Sequence, residues 1–374
     1  MSEKKKICLF AEDAYALITD KRDYFGGAEV QMSLLAKELT KRLYDVSFIT
    51  FQKSSKNYEV YEGVKVYNAF HNRFGGYSYL LPQNIFKLIT ILHKINGDIY
   101  LKKGHTPLTG VVAFLAKLQK KKFFFITSSD KDTSTNLNIS SFLNLKNIFF
   151  RFGVKNCSRV VCQTIHQKRL LKKNIGKDGI VIKNIYSPIK IENINETPQR
   201  LKILWVGRLI KEKRPELFLD LAKKMPDYQF RMIITSFRSN KDYYNNMKKI
   251  AEKSENIDII ENVPNQEMYR YYLESSILVS TSISEGFPNT FLEAWGNSIP
   301  VVSLGFDPDE IICKYELGFH SKNFNDLVND IRQLLENEFL RRKIGIKAKN
   351  YVLREHNVNN IIDEYERLIN NMIG

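Results

Sequence analysis

Apolar residues along this chain fall into two patterns. Short, nearly unbroken apolar runs at residues 6–11, 46–51, 64–69, 98–102, 122–127, 159–164 and 179–183 predict strands buried on both faces. Between them lie segments of helical spacing over 28–42, 85–95 and 109–118. In the first of these, Met32, Leu34, Leu35, Ala36 and Leu39 line one side. Residues 191–200 are polar, carry a Pro and lack periodicity, which predicts a linker. The pattern then restarts. Strands are expected over 202–206, 229–235, 257–260, 276–280 and 301–304, with helices over 215–224 and 243–253 and after Asn265 and Pro288. From about Asn323 onward the chain reads as helical to its end. Strands alternating with helices predict an α/β fold built as two doubly wound parallel-sheet domains. Such sheets bind ligands beyond the carboxyl ends of their strands, so two facing domains would form one cleft.

Composition narrows the function classes. The chain has 374 residues, 43% hydrophobic and 26% charged, which excludes wholesale disorder and suits about two domains. Four scattered cysteines, Cys8, Cys157, Cys162 and Cys313, cannot form a disulfide framework and read as structural thiols of a reducing compartment. The apolar run after the charged start is too short for a signal peptide, and 85–95 is interrupted by Lys87, His93 and Lys94. A cytoplasmic protein is expected. The sequons at Asn138, Asn156 and Asn195 then carry no meaning.

Net charge is +16, but it is not spread evenly. Residues 1–200 hold 33 Lys and Arg against 16 Asp and Glu, net +17, while residues 201–374 hold 24 against 25, net −1. The first half therefore calls for an acidic partner: a phosphate-bearing substrate, an anionic membrane surface or nucleic acid. Cations cluster at Lys117 and Lys120–Lys122, and again at Arg151, Lys155, Arg159, Lys168, Arg169, Lys172 and Lys173. Phe142, Leu143, Ile148, Phe149, Phe150 and Phe152 lie between the two clusters. Aromatics beside cations suit peripheral binding to an anionic leaflet; the alternative is that these aromatics are core.

Phosphate-loop, dinucleotide, zincin and nucleophile-elbow motifs are absent. Three other constellations remain. Gly26-Gly27-Ala28-Glu29 sits between the first strand and its helix, where a glycine pair allows backbone to approach an anion. Gly207-Arg208-Leu209 with Lys213 ends the first strand of the second half; two fixed cations there suit a diphosphate. Glu285-Gly286-Phe287-Pro288-Asn289-Thr290-Phe291-Leu292-Glu293 leads into a helix, with Pro288 in its first turn and the amides of Asn289 and Thr290 aimed at phosphate. Either carboxylate can accept two hydrogen bonds from a vicinal diol. His105, alone at a strand end, is a weaker candidate.

Together these pieces resemble the retaining glycosyltransferases of family 4, which have the GT-B fold of two facing Rossmann-like domains. Gly207-Arg208-Leu209 with Lys213 matches the family's G-R-L-x-x-x-K, Glu285 to Glu293 its E-x7-E, Asn297 to Val302 its G-x-P-V-V stretch, and Gly26 to Glu29 its G-G-A-E element. Asn184 resembles its I-x-N strand end. The resemblance implies an acceptor-binding domain over 1–190, a linker over 191–200, a nucleotide-sugar domain over 201–354 and a C-terminal helix over 355–374 packing back on the first domain.

It further implies that Arg208 and Lys213 neutralise the diphosphate of a UDP- or GDP-sugar. Glu285, Gly286 and Phe287 would hold the sugar, Glu293 the ribose, Val263 the base, and Gly27 the phosphate from the other domain. Gly207, Asn289 and Thr290 complete the donor-binding set, and no metal is required. The implied enzyme is a retaining hexosyltransferase of bacterial surface polysaccharide or glycolipid assembly, acting on a saccharide or lipid-linked saccharide. One departure concerns Thr127-Ser128-Ser129-Asp130, where Ser129 stands at the family's usual His. Asp130 keeps the acidic position as a catalytic candidate; His105 and Asn184 are candidates on the acceptor side. Competing readings are a GT-B-fold nucleotide-sugar epimerase or phosphorylase, and a basic nucleic-acid-binding protein, for which no motif is present.

Overall fold

In a computed structural model, described here over residues 4–19, 26–51, 58–70, 75–133, 145–188, 202–235 and 241–373, the chain divides into two compact units. Of the described residues, those up to 185 and those from 358 belong to the first unit, and those from 186 to 357 form the second. The expected linker at 191–200 lies outside the described residues.

The first unit's sheet has the order β3-β4-β2-β1-β5-β6-β7-β8. Its strands are β1 (Lys6–Phe10), β2 (Asp45–Thr50), β3 (Tyr58–Tyr61), β4 (Val64–Asn68), β5 (Ile99–Lys103), β6 (Lys122–Ile126), β7 (Arg159–Cys162) and β8 (Gly179–Val181). All pairings are parallel except β3 with β4. Side chains alternate between two apolar layers. Ile7 and Leu9 of β1 enter one core with Ile99, Leu101, Phe124 and Ile126; Cys8 and Phe10 enter the other with Tyr100, Phe123 and Phe125.

The second sheet is wholly parallel, in the order β11-β10-β9-β12-β13-β14. It comprises β9 (Lys202–Gly207), β10 (Gln229–Ile234), β11 (Ile257–Glu261), β12 (Ser275–Ser280), β13 (Val301–Leu304) and β14 (Gly318–Ser321). Ile203 and Trp205 of β9 face one layer, Leu204 and Val206 the other.

Several elements depart from the periodicity. Strand β3 alternates exposed and half-buried residues at the sheet edge, so no apolar run marks it. Helix Ile165–Ile175 lies in a stretch read only as basic. Thr164 caps it, its Oγ1 accepting from Gln167 N at 3.0 Å, and Gly176 ends it in the left-handed region. A Thr followed three residues later by Gln at a helix start was the available signal. Helix Leu145–Asn156 packs on helix Leu108–Leu118, and the two come together at Gly110 and Gly153. A Cβ on either glycine would strike the other helix's backbone.

The unit boundary falls at 185/186 rather than 190. Tyr186 bridges Asn357, and its ring lies against Gly296, so the segment from 186 is built into the second unit. The last helix, Val358–Ile373, lies in the first unit, where Ile361, Ile362, Tyr365, Leu368 and Ile369 enter the same core as Ile7 and Leu9. Truncating Ile369, which is fully buried, to Ala should cost about 2–5 kcal/mol. Chemical denaturation followed by circular dichroism measures this; an unchanged first-unit transition would contradict the packing.

Candidate functional site

In the second unit, β9 and β12 are adjacent parallel strands, so the loops that follow them start from the same sheet edge. Hydrogen bonds lash these loops together. Thr281 donates through Oγ1 to the Lys213 carbonyl at 2.6 Å, and Arg214 donates through Nε to the Thr281 carbonyl at 2.6 Å. Ile283 N donates to the Glu212 carbonyl at 2.9 Å. Trp205 supports the junction from the core, its indole N–H donating to Thr281 Oγ1 at 3.1 Å. Arg214, itself in the left-handed region, also donates to the Leu304 carbonyl at 2.6 Å, which ties in the end of β13.

The lashing brings Lys213 Nζ into a direct ion pair with Glu285; each side chain is about one-fifth exposed. Arg208, one residue past the strand end at Gly207, is exposed. Gly207 packs so closely on the Trp205 ring that a Cβ would lie 3.0 Å from it. The structure thus unites Lys213 and Glu285, while Gly207 and Arg208 open the loop that carries Lys213.

Helix Asn289–Gly296 begins just after Glu285. Pro288 is its N-cap rather than a first-turn residue, because its backbone is extended (ψ 123°). The N-cap Pro288 has no side-chain group with which to cap this helix start. Gly286 and Phe287 are buried, and the Phe287 ring meets Trp295 edge-on. Glu293 accepts a hydrogen bond from the Tyr272 hydroxyl at 2.6 Å. Desolvation raises its carboxyl to about 7, against the downward pull of that hydroxyl. Val263 is buried just after β11.

The first unit gathers the other candidates at the carboxyl edge of its sheet. Gly27 starts helix Gly27–Lys41 and is exposed. Asn184 is buried, with its Oδ1 accepting from Lys103 Nζ at 3.0 Å. Burial lowers the Lys103 ammonium to about 7, opposed by the charges of Asp132 and Glu29. Asp130 opens a 3-10 turn, Asp130–Thr133, with His166 Nε2 3.9 Å from its carboxylate.

The acid held most firmly there is Asp132, not Asp130. Its carboxylate is buried and accepts from Ser128 N at 2.5 Å, Ser128 Oγ at 2.9 Å and Ser129 N at 3.2 Å. His105 Nδ1 stands 3.7 Å from Asp132, and the ring stacks on Phe150 at 3.7 Å between centroids. Ser129 is therefore a ligand of the Asp132 carboxylate, and the imidazole comes from the neighbouring strand end.

Sequence reasoning missed Glu12, Lys102, Lys103 and Asp132. Lys102 is buried and paired with Glu12 at 2.9 Å, and Thr106 donates to the same carboxylate at 2.8 Å. The signal was two consecutive lysines closing an apolar strand. A strand with both faces covered can hold cations only where partners await them.

Comparison with known proteins follows the same division. Residues 25–192 match the model described as Glycosyltransferase Family 4, and residues 188–351 match Glycosyl transferases group 1. An uncharacterized glycosyltransferase of Methanocaldococcus jannaschii is 26% identical over 339 residues, 88% of this chain and 90% of that protein. The amylovoran biosynthesis glycosyltransferase AmsD of Erwinia amylovora is 23% identical over 339 residues, 86% and 90% of the two chains. Among solved structures, Anabaena HepE in complex with UDP and glucose superposes with a TM-score of 0.75 at 14% identity, covering 98% of this chain and 100% of that one.

The Glu293 carboxyl yields a pH prediction. Its native value, about 7, lies above the ordinary 4.5, so the folded state holds a proton that the unfolded state has lost. That stabilisation is complete below 4.5 and disappears as pH rises through 7. Glu293→Gln keeps the acceptor for Tyr272 and removes the titration. Relative to the parent, it should gain on the order of 1–3 kcal/mol between about pH 5 and pH 8. Unfolding at both pH values checks this; a difference independent of pH would refute the assignment.

Proposed function

The chain belongs to the group 1 and family 4 glycosyltransferases, which have the GT-B fold, and on that premise we propose that it moves a sugar from a nucleotide-sugar to an acceptor hydroxyl with retention at the anomeric carbon. The observation that carries this reading is the rim of the second unit, where lashed loops pair Lys213 with Glu285, Arg208 lies exposed on the same loop as Lys213, and helix Asn289–Gly296 begins just beyond. A diphosphate would take the place of Glu285 as the partner of Lys213, and Arg208 offers its planar fork beside it. The amides of Asn289 and Thr290 add partial positive charge from the helix end.

In the reaction the bond from the anomeric carbon to the diphosphate oxygen breaks, one to the acceptor oxygen forms on the same face, and the proton of the acceptor hydroxyl passes to the departing diphosphate oxygen. The charge that grows on the departing diphosphate meets Arg208 and Lys213, which act where a metal ion would otherwise act. Glu285, freed from Lys213, is placed to accept from sugar hydroxyls. Glu293, which accepts from the Tyr272 hydroxyl, would in its ionised form accept from the ribose as well. The solved complex of HepE with UDP and glucose favours a UDP-sugar as donor, and the AmsD likeness favours polysaccharide assembly as the setting.

Arg208→Ala and Glu285→Ala should each lower kcat by on the order of 10²–10³ while the circular dichroism spectrum persists. UDP should raise the melting temperature of the parent more than GDP does. Full transfer activity in either variant would sink the proposal.

We place the acceptor at an anionic membrane surface. No helix among the described residues is long and apolar enough to cross a membrane. The apolar residues between the basic clusters divide: Phe150 is buried and Phe149 half-buried, whereas Ile148 and Phe152 are exposed. Phe142 and Leu143 lie outside the described residues. With Phe114, Leu118 and Leu145, the exposed pair supplies five apolar side chains, each 38–61% exposed, on the two packed helices Leu108–Leu118 and Leu145–Asn156. Lys117 and Lys155 are exposed on the same helices. Such a face suits the headgroup region of anionic lipid.

Flotation with phosphatidylglycerol vesicles should show binding at low salt that neutral vesicles do not match. Ile148→Ser with Phe152→Ser should abolish it without slowing transfer to a water-soluble acceptor. Equal binding to neutral vesicles, or none at low salt, would remove the membrane from the account.

A further inference from the structure

Cys313 is the one cysteine of the four that is exposed; Cys8, Cys157 and Cys162 are buried. Its surroundings are specific. Asp307 lies on the loop leaving β13, Cys313 on helix Ile311–Tyr315, and His320 on β14. A carboxylate oxygen, the thiol sulfur and an imidazole nitrogen from these residues all lie within 4.8 Å of one another. Among the described residues this is the one cluster of its kind.

Each donor stands on a fixed element. The Asp307 carboxylate accepts from Ile312 N at 2.9 Å and from Cys313 N at 3.2 Å, so both oxygens are oriented by backbone. Carboxylates held this way keep lone pairs for a metal while losing rotational freedom. His320 is paired in register with Ser303 of β13. Cys313 lies in the middle of its helix. The helix is reached through two consecutive left-handed residues, Asp309 (φ 52°) and Glu310 (φ 59°).

We propose that Asp307, Cys313 and His320 form a binding site for a zinc-type divalent cation, with a fourth position left for water or an exogenous ligand. The donor set selects the ion. Sulfur and imidazole suit zinc and its soft neighbours, while magnesium and calcium want oxygen alone. One thiolate and one carboxylate cancel the two charges of the ion, and the imidazole adds none. Three protein ligands with an open fourth place is a common zinc arrangement. On binding, the thiol proton leaves to solvent, a metal–sulfur bond forms, and no electron is transferred.

The ion would tie the loop leaving β13 to β14. That loop abuts the lashed rim: a Cβ on Gly305 would lie 2.9 Å from the Arg214 guanidinium. The ligands are separate from Arg208, Lys213 and Glu285, so the site is argued independently of the transfer reaction and is tested without it.

Purified full-length protein, stripped with chelator, is titrated with cobalt(II) as the spectroscopic probe. One equivalent should produce a thiolate-to-cobalt charge-transfer band in the near ultraviolet, which zinc then displaces. Cys313→Ser and His320→Ala should each remove the band while their circular dichroism stays that of the parent. Zinc should raise the melting temperature of the parent and leave both variants unmoved. Absence of the band at stoichiometric cobalt, binding only at millimolar metal, or a band that survives in both variants would overturn the proposal. The three buried thiols serve as internal controls, since neither variant alters them.

Discussion

A parallel strand with apolar layers on both faces leaves charge almost no place to go. In the first unit Cys8, Leu9 and Phe10 of β1 and Ile99, Tyr100 and Leu101 of β5 are fully buried, and polar groups enter where the strands end. Lys102 meets Glu12 there, and Lys103 meets Asn184. The same constraint shapes the second unit, where β9 stays apolar from Ile203 to Val206 and then yields to Gly207 and Arg208. An unpaired ion inside either sheet would cost several kcal/mol. Where a strand does carry a buried charge inside a sheet, as at Arg231 of β10, carboxylates meet it, here Asp258 and Glu274.

At the strand ends, position is set by backbone as much as by side chains. Thr281, Arg214 and Ile283 each form a cross-loop bond that uses a main-chain group. The Lys213–Glu285 pair thus rests on geometry that a surface ion pair alone would not supply, since exposed pairs contribute little by themselves. Glu293 follows a different logic. It is raised by desolvation and oriented by Tyr272, a side chain from another helix.

Much of this was legible in the amino-acid order. The strand runs, the two-domain plan and the Arg208, Lys213, Glu285 and Glu293 positions all follow from local pattern and motif. What stayed hidden depended on partners distant in sequence. Nothing near Asp132 announces that His105 will stand beside it. Lys103 looked like the end of a strand; its hydrogen-bond acceptor, Asn184, and the charges that oppose its loss of proton, Asp132 and Glu29, lie far along the chain. Edge strand β3 failed for the opposite reason: its alternating exposure carries no apolar run to detect.

The last helix has a consequence for biosynthesis. Ile361, Ile362, Tyr365, Leu368 and Ile369 complete a core whose strands are translated some hundreds of residues earlier. A ribosome must therefore finish the entire second unit before the first can close its hydrophobic layer. Until then helix Gly27–Lys41 covers only part of that sheet face on the nascent polypeptide, and the remainder gives chaperones a defined surface to shield.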